Sequence, residues 1–205
     1  MTDKNIDSKE RILDSALMEF AVHGFSGARM DRIARKAKIN KAMIFYYFSS
    51  KKKLYSEILR QALLKIFIPI SGIIDGAADA KMFLENVPRI YIRFFSENQE
   101  LFRMVAFDLV SDVPVVPQII KAFVSEKYDE GPGLIFKKIR EWYKSGQITE
   151  ADPVQFILNI VSLSFLSFIG RPIIEAVFNV NTAQESFYTK RANSVVNLLE
   201  RGVLK

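Results

Sequence analysis

The sequence predicts an all-α fold, with a three-helix head at the N-terminus and a larger helical body behind it. Three observations carry that expectation. Apolar residues recur at spacings of three and four along nearly the whole chain, which is the period of one helix face. No alternating apolar and polar run bounded by turn residues is present, so no strand is expected. Helix start and stop residues fall between the periodic segments. At 205 residues, 49% hydrophobic and 25% charged, the chain is long enough to bury a substantial core.

In the first segment Ile12, Ala16, Leu17, Phe20 and Ala21 line one stripe. Asp7 and Glu10 have the spacing of a capping pair at its start, and Gly24 is expected to stop it. Short helices follow over 30–37 and 41–48. The second is capped by Asn40, whose side-chain oxygen can accept a free N–H of the first turn. Lys51 opens a long segment to about Ile68, where Pro69 and Gly72 disturb the pattern. This segment links the head, residues 1–50, to the body, residues 51–205.

Further helices are expected over 82–96, 99–110, 117–128, 133–144, 153–178 and 183–204. Pro88 inside the first of these implies a kink or a later start. Asp152, Pro153 and Gln155 supply a cap, a first-turn proline and a capping-box partner, and Thr182 with Glu185 has the spacing of another box.

Composition narrows the chemistry. Without cysteine there is no disulfide framework, thiolate metal site or cysteine nucleophile, and a cytoplasmic location is expected. Residues 1–10 are polar and mixed in charge, unlike a secretory signal. The longest apolar run, 154–169, is interrupted by Gln155, Asn159 and three serines, so no membrane segment is expected. One histidine and no HExxH sequence leave little basis for a metal site. His23, at the end of the first helix, is expected to face its C-terminal carbonyls. No nucleophile–base pair and no phosphate-cradling glycine loop is visible, so neither catalysis nor a cofactor is expected.

The formal net charge is +6, and all of it falls within residues 1–60, the head and the start of the helix that follows it. Residues 1–60 hold 13 Lys and Arg against 7 Asp and Glu, whereas the remaining residues hold 16 of each. A basic head on a neutral body suggests a polyanionic partner for the head, nucleic acid or an anionic membrane surface.

A helix reads base edges only from the major groove, so it must be short, backed by other helices and apolar on its inward side alone. Segment 41–48 has that pattern. Ile44 and Phe48 stand four apart, where they can pack on Ile33, Ala34 and Leu17. At 100° per residue, Ala42, Phe45 and Tyr46 fall opposite, with Met43 beside them. Arg29, Arg32, Arg35, Lys36, Lys38 and Lys41 precede or open the segment, and Lys51, Lys52 and Lys53 follow it, within reach of phosphates. Basic charge at Lys51 opposes the dipole of the helix it starts, a local cost that favours a functional reading.

From Ile12 to Leu54 the chain resembles the DNA-binding domain of the TetR family. The residues carrying the resemblance are Ile12-Leu13-Asp14-Ser15-Ala16-Leu17, Phe20-Ala21, Gly24-Phe25, Ile33-Ala34, Ala37, Lys41-Ala42-Met43-Ile44-Phe45-Tyr46-Tyr47-Phe48, Ser50-Lys51 and Leu54. The remainder matches only in length and in being helical. The resemblance implies a helix-turn-helix DNA-binding head and a helical effector-binding and dimerisation body. It assigns base contacts to Lys41, Ala42, Met43 and Phe45, phosphate contacts to Tyr46, Tyr47 and Lys51, and further DNA contacts to Arg29 and Met30. Two departures stand out. Lys38 occupies the turn position where the family has Gly, so either the turn differs or a non-glycine residue adopts an unfavourable backbone at a cost of about 1 kcal/mol or more. Ala28 and Arg29 replace the usual threonines, weakening the cap of the second helix.

Thirteen of the 17 phenylalanines and the single tryptophan, Trp142, follow Arg60. In the family this part encloses a small effector, and an aromatic lining suits an apolar or aromatic molecule. Tyr91, Phe107 and Phe165 are the expected wall residues. Most other phenylalanines at helical spacing read as core. Arg89 and Arg93, four apart, read as a solvated face that could also receive an acidic ligand. The last two helices are apolar nearly all round, so Phe168, Val195, Val196 and Leu199 are expected at a homodimer interface, in agreement with family habit. The function expected is a DNA-binding transcriptional regulator, usually a repressor, holding a pseudo-palindromic operator in double-stranded DNA as a homodimer. A small apolar effector would release it. The alternative is a basic peripheral membrane protein or a nonspecific DNA-binding scaffold.

Overall fold

A computed structural model describes residues 3–76, 79–112, 114–127 and 133–205. Among these, every regular element is a helix, in the order α1 (Asp3–Gly27), α2 (Met30–Ala37), α3 (Lys41–Phe48), α4 (Lys51–Asp75), α5 (Ala80–Glu97), α6 (Gln99–Leu109), α7 (Val116–Lys127), α8 (Gly133–Lys144), α9 (Pro153–Ile169), α10 (Arg171–Phe178) and α11 (Glu185–Val203).

Packing gathers the chain into two compact units whose boundary differs from the division at residue 50. The first comprises residues 1–64 with 99–122, and the second residues 65–98 with 123–205. Tyr55 shows why the start of α4 packs with the head: it is buried, its ring meets Phe20 at 4.9 Å and Phe25 at 5.1 Å, and its hydroxyl donates to the Met104 carbonyl at 3.4 Å. In this first unit α1 packs on both α2 and α6 through a face carrying Ile12, Ala16 and Phe20, all with no exposed surface. Buried Asp108, at the end of α6, accepts the N–H groups of Val115 and Val116 at 2.7–3.0 Å and so caps α7. The expected end of this helix at Tyr128 lies outside the described residues.

In the second unit α5 packs on α9 and α11, and α8 packs on α9. Phe83, Trp142 and Phe156 form one aromatic cluster with centroids 5.4–6.2 Å apart. Phe95, Phe165, Phe168 and Tyr188 form another, in which Phe168 and Tyr188 stack at 4.8 Å. The chain end is tied down by Thr149 N–H to the Val203 carbonyl at 2.8 Å and Lys205 N–H to the Gln147 carbonyl at 3.2 Å.

Several element expectations are corrected. Helix α1 begins at Asp3, so Asp7 lies inside it and pairs with Arg11 at 3.5 Å rather than capping. Gly24 takes φ 63°, breaking the helical backbone, yet α1 resumes to Gly27. Helix α4 passes through Pro69 to Asp75, because losing one N–H does not outweigh the buried face of Ile66, Ile70 and Ile74. Helix α5 starts at Ala80, earlier than expected, where Asp79 accepts the Met82 N–H at 2.8 Å, and it continues through Pro88. The predicted helix 153–178 is two helices bent by 63° at Gly170, since Pro172 offers no N–H to the Phe168 carbonyl. The Thr182 and Glu185 box does not form. Thr182 is fully buried and donates its hydroxyl to Glu175, leaving Gln184 as a cap without a side-chain bond.

Among the described residues no single helix is long and apolar enough to cross a membrane. The bent pair α9 and α10 has the length and composition for it only when taken together.

Candidate nucleic-acid interface

The candidate recognition surface is built on α3. Asn40 stands in extended conformation and its Oδ1 accepts the Ala42 N–H at 2.9 Å, the expected cap. Ile44 and Phe48 are buried, and α3 packs on α2, whose Ile33 and Ala34 are also buried. This leaves Lys41, Ala42, Phe45 and Tyr46 exposed on the other side, with Met43 and Tyr47 half-buried beside them. Tyr46 is 78% exposed, and its ring meets Tyr47 edge-on at 5.3 Å.

The turn before α3 takes the second of the two alternatives at Lys38. Lys38 adopts the left-handed conformation, φ 55° and ψ 46°, which costs a non-glycine residue about 1–2 kcal/mol. Its N–H reaches the Arg35 carbonyl at 3.2 Å and the next N–H, of Ile39, reaches the Ala34 carbonyl at 3.1 Å, so the end of α2 is satisfied despite the strain.

The start of α2 is held by a residue the sequence did not single out. Arg29 caps it without a side-chain bond, but Glu19 of α1, fully buried, accepts the Arg29 N–H at 3.1 Å. The same carboxylate accepts from Arg32 Nε and lies 3.7 Å from Lys36 Nζ and 3.9 Å from His23 Nε2. Arg32 also donates to the Gly27 carbonyl at 2.8 Å, stitching the α1–α2 turn. Burial pushes the Glu19 carboxyl up, but the Arg29 N–H and the Arg32 guanidinium together outweigh it and hold it below the usual carboxylate value. His23 thus turns toward Glu19, one turn back.

Two expected DNA contacts have internal partners. Lys41 Nζ lies 2.9 Å from Asp31, whose carboxyl it holds below the usual range. Lys51 Nζ donates to the Ser26 carbonyl at 3.3 Å and lies 4.9 Å from the Phe25 ring centroid, so its unfavourable place at a helix start is offset within the head. Burial lowers the Lys51 ammonium, against the opposing pull of Glu19. Met30 is a clearer correction. Its side chain is buried in the head, so only its backbone can reach DNA. Arg29, Arg35, Lys38, Lys52 and Lys53 remain exposed around α3.

The expected effector wall is divided. Tyr91 of α5 and Phe165 of α9 are half-buried on neighbouring helices, and burial alone pushes the Tyr91 hydroxyl up to about 12. Phe165 meets Phe95 edge-on at 5.9 Å. Phe107 belongs to the other compact unit and is 46% exposed. Of the two arginines read as a solvated face, Arg89 donates to Asn193 at 2.7 Å and Arg93 to Glu97 at 3.0 Å.

The expected interface residues are corrected as a group. Phe168, Val195, Val196 and Leu199 are all buried within the single chain, because α11 turns its apolar stripe onto α5 and α9. The exposed apolar side chains of this region are others, including Leu158, Leu166, Ile169, Ile173, Val177 and Leu198.

Comparison with known proteins agrees with this geometry. A sequence model of the bacterial regulatory proteins of the tetR family matches residues 12–58, which span α2, α3 and parts of α1 and α4. The chain is similar to the HTH-type transcriptional regulator RutR of Escherichia coli, 26% identical over 195 residues, covering 95% of this chain and 90% of that regulator. It is similar to the HTH-type transcriptional repressor SCO4008 of Streptomyces coelicolor, 41% identical over 63 residues, 31% of this chain and 33% of that repressor. Its fold is similar to the crystal structure of the regulator FadR from Bacillus subtilis in complex with stearoyl-CoA, with a TM-score of 0.70, 17% identity and coverage of 93% and 96% of the two chains. With its exposed helix, basic surround and relatives in agreement, the chain carries over residues 12–58 a DNA-binding domain that matches the bacterial regulatory proteins of the tetR family, and it is a DNA-binding transcriptional regulator.

Proposed function

We propose that the protein is a cytoplasmic repressor that holds a pseudo-palindromic operator as a homodimer and releases it when a small apolar molecule binds the body. The observation that carries the DNA reading is the two-sidedness of α3: Ile44 and Phe48 are buried while Ala42, Phe45 and Tyr46 are exposed among cations. In this reading Lys41, Ala42, Met43 and Phe45 meet base edges, Tyr46, Tyr47 and Lys51 meet phosphates, and Arg29 and the backbone at Met30 add contacts beside them. Ala42, Met43 and Phe45 carry no side-chain donor, so their match in the major groove is the thymine methyl, and a guanine contact falls to Lys41 or Arg29. Lys41 must then exchange Asp31 for DNA.

The dimer rests on the exposed apolar side chains of α9, α10 and α11, from Leu158 to Leu198, which a second copy would cover. The effector reading rests on Tyr91 and Phe165 in an aromatic body, and gains support from the stearoyl-CoA bound by the fold neighbour FadR. The helix α4, continuous from Lys51 to Asp75, would carry the coupling. Selection of bound sequences from random duplex DNA at moderate salt tests the proposal. A two-fold symmetric consensus is expected; recovery of no consensus would mean phosphate binding alone.

A further inference from the structure

A second basic feature lies beside the recognition helix. A cleft of about 450 Å³ runs along α4 in the first compact unit, between Lys9 of α1, Ser49 after α3 and Ile119 of α7. On α4 it is lined by Lys53, Ser56, Glu57 and Arg60, the spacing of one helix face. Seven residues of helix separate Lys53 from Arg60, about 10 Å along the axis. Three cations therefore face one carboxylate. Both oxygens of Glu57 are taken by Arg60, at 2.8 and 3.0 Å, and one also by Gln61 at 2.7 Å, which leaves the Lys9 and Lys53 end the more positive. The floor there is apolar: Lys9 Nζ lies 5.9 Å from the Phe48 ring centroid.

Ser49 supplies an independent observation. It stands at φ 60° and ψ −33°, a positive φ that a residue with a Cβ rarely adopts and that glycine would relieve. Its N–H caps α3 on the Phe45 carbonyl at 2.8 Å, and the residue lines the wall of the basic cleft, where a hydroxyl can donate to a ligand oxygen.

We propose that this cleft is a binding site for a phosphate ester, with the phosphate held by Lys9, Lys53 and the Ser49 hydroxyl and its organic part laid against Phe48 and Ile119. The ester has two possible sources, a free phosphorylated metabolite or the backbone of bound DNA. The position of Arg60 and Ile119, two turns along α4 from Lys53 and on α7, favours the metabolite. Because Ser49 and Tyr47 share the cleft with α3, occupancy would then act on DNA binding from outside the body. The site does not depend on base reading by α3.

Phenyl phosphate is the probe, titrated into the full chain without DNA and followed by amide NMR shifts, with phenol as the neutral control. Saturable shifts centred on Ser49 and Lys53, absent with phenol, are expected. Ser49→Gly should weaken binding at least fivefold while leaving thermal stability equal or higher, and Lys53→Gln should do the same without changing the fold. A second arm replaces operator phosphates one at a time by methylphosphonate. A position whose neutralisation weakens wild type but not Ser49→Gly or Lys53→Gln assigns the site to the DNA backbone, whereas phenyl phosphate binding without such a position assigns it to a metabolite. Absence of both effects overturns the proposal, and operator selection, which reads α3, is unaffected by that result.

Discussion

Removing the buried carboxylate of Glu19 should loosen the head and change how it binds DNA. In Glu19→Ala the Arg29 N–H and the Arg32 Nε lose their acceptor. Hydrogen bonds to charged groups contribute about 1.5–3 kcal/mol each, and the Arg32 side chain, about a third exposed, rehydrates in part, so its bond counts for about 1 kcal/mol. The expected loss is therefore about 3 kcal/mol. Glu19→Gln keeps an acceptor for Arg29 and loses only the charge, for about 1–2 kcal/mol. Because the folded carboxyl lies below its ordinary 4.5, its stabilisation is full above that value and is lost as pH falls through the lower folded value. Glu19→Gln should accordingly flatten the acid limb of the stability curve below about pH 4.5. The same variant frees Arg32 and Lys36 for phosphates, so nonspecific affinity should rise and its salt slope steepen by about one unit. Urea unfolding across pH and fluorescence anisotropy on random duplex DNA read both effects. A Gln variant within 0.5 kcal/mol of wild type, with an unchanged acid limb and salt slope, would refute this account of Glu19.

Phe45→Ala should relax specificity at one or two operator positions by about 1–3 kcal/mol each, and replacing operator thymines by uracil should locate them; uniform indifference to uracil would sink methyl reading by this face. Lys51→Ala should weaken binding to all sequences and lower the salt slope by about one unit, and since Lys51 also holds the Ser26 carbonyl and the Phe25 ring, unfolding should show a loss of about 1 kcal/mol. Leu198→Glu, on an exposed position, should yield folded monomer in sedimentation, while Val196→Glu, 2% exposed, should lose more than about 3 kcal/mol of stability. A folded Val196→Glu monomer would contradict the inward direction of that stripe.

What could be read from the sequence is what local physics decides. Helices α2 and α3, the Asn40 cap and the two faces of α3 depend on spacings of a few residues, and all appear as expected. The break at Gly170 was hidden because apolar periodicity runs through it, and only Gly170 and Pro172 marked it. Thr182 had the spacing of a capping box, but its hydroxyl is claimed by Glu175, seven residues earlier, on another helix. Apolarity at Val195, Val196 and Leu199 correctly signalled burial, yet it carries no information on whether the cover is the same chain or a second one. Glu19 lies three residues after Ala16, on the buried stripe of α1, and that position was its only local signal. Its partners at 29, 32 and 36 meet it only once α2 folds back.

Glu19 and its neighbours also change the meaning of the basic head. Counting residues gives an excess of six positive charges, which suggests a surface whose cations all await phosphates. The fold divides them. Arg32 and Lys36 lean on Glu19, Lys41 pairs with Asp31, and Lys51 closes the end of α1. These groups fix the backbone of the turns on either side of α2 and the entry to α4, while Arg29, Arg35, Lys38, Lys52 and Lys53 stay exposed around the reading helix. A head with all its cations outward would bind any duplex more tightly but would leave α3 less firmly aimed, since phosphate contacts carry no sequence information. In the proposed reading the pairing of Arg32 and Lys36 with Glu19 trades nonspecific affinity for a fixed α2, while Lys41 and Lys51 serve both the fold and the DNA. Apolar contact with a thymine methyl depends on close fit and lacks the directional hold of a bidentate hydrogen bond. In the proposed reading a helix of this composition takes its orientation from the scaffold, and the ion pairs at Glu19 and Asp31 contribute to it.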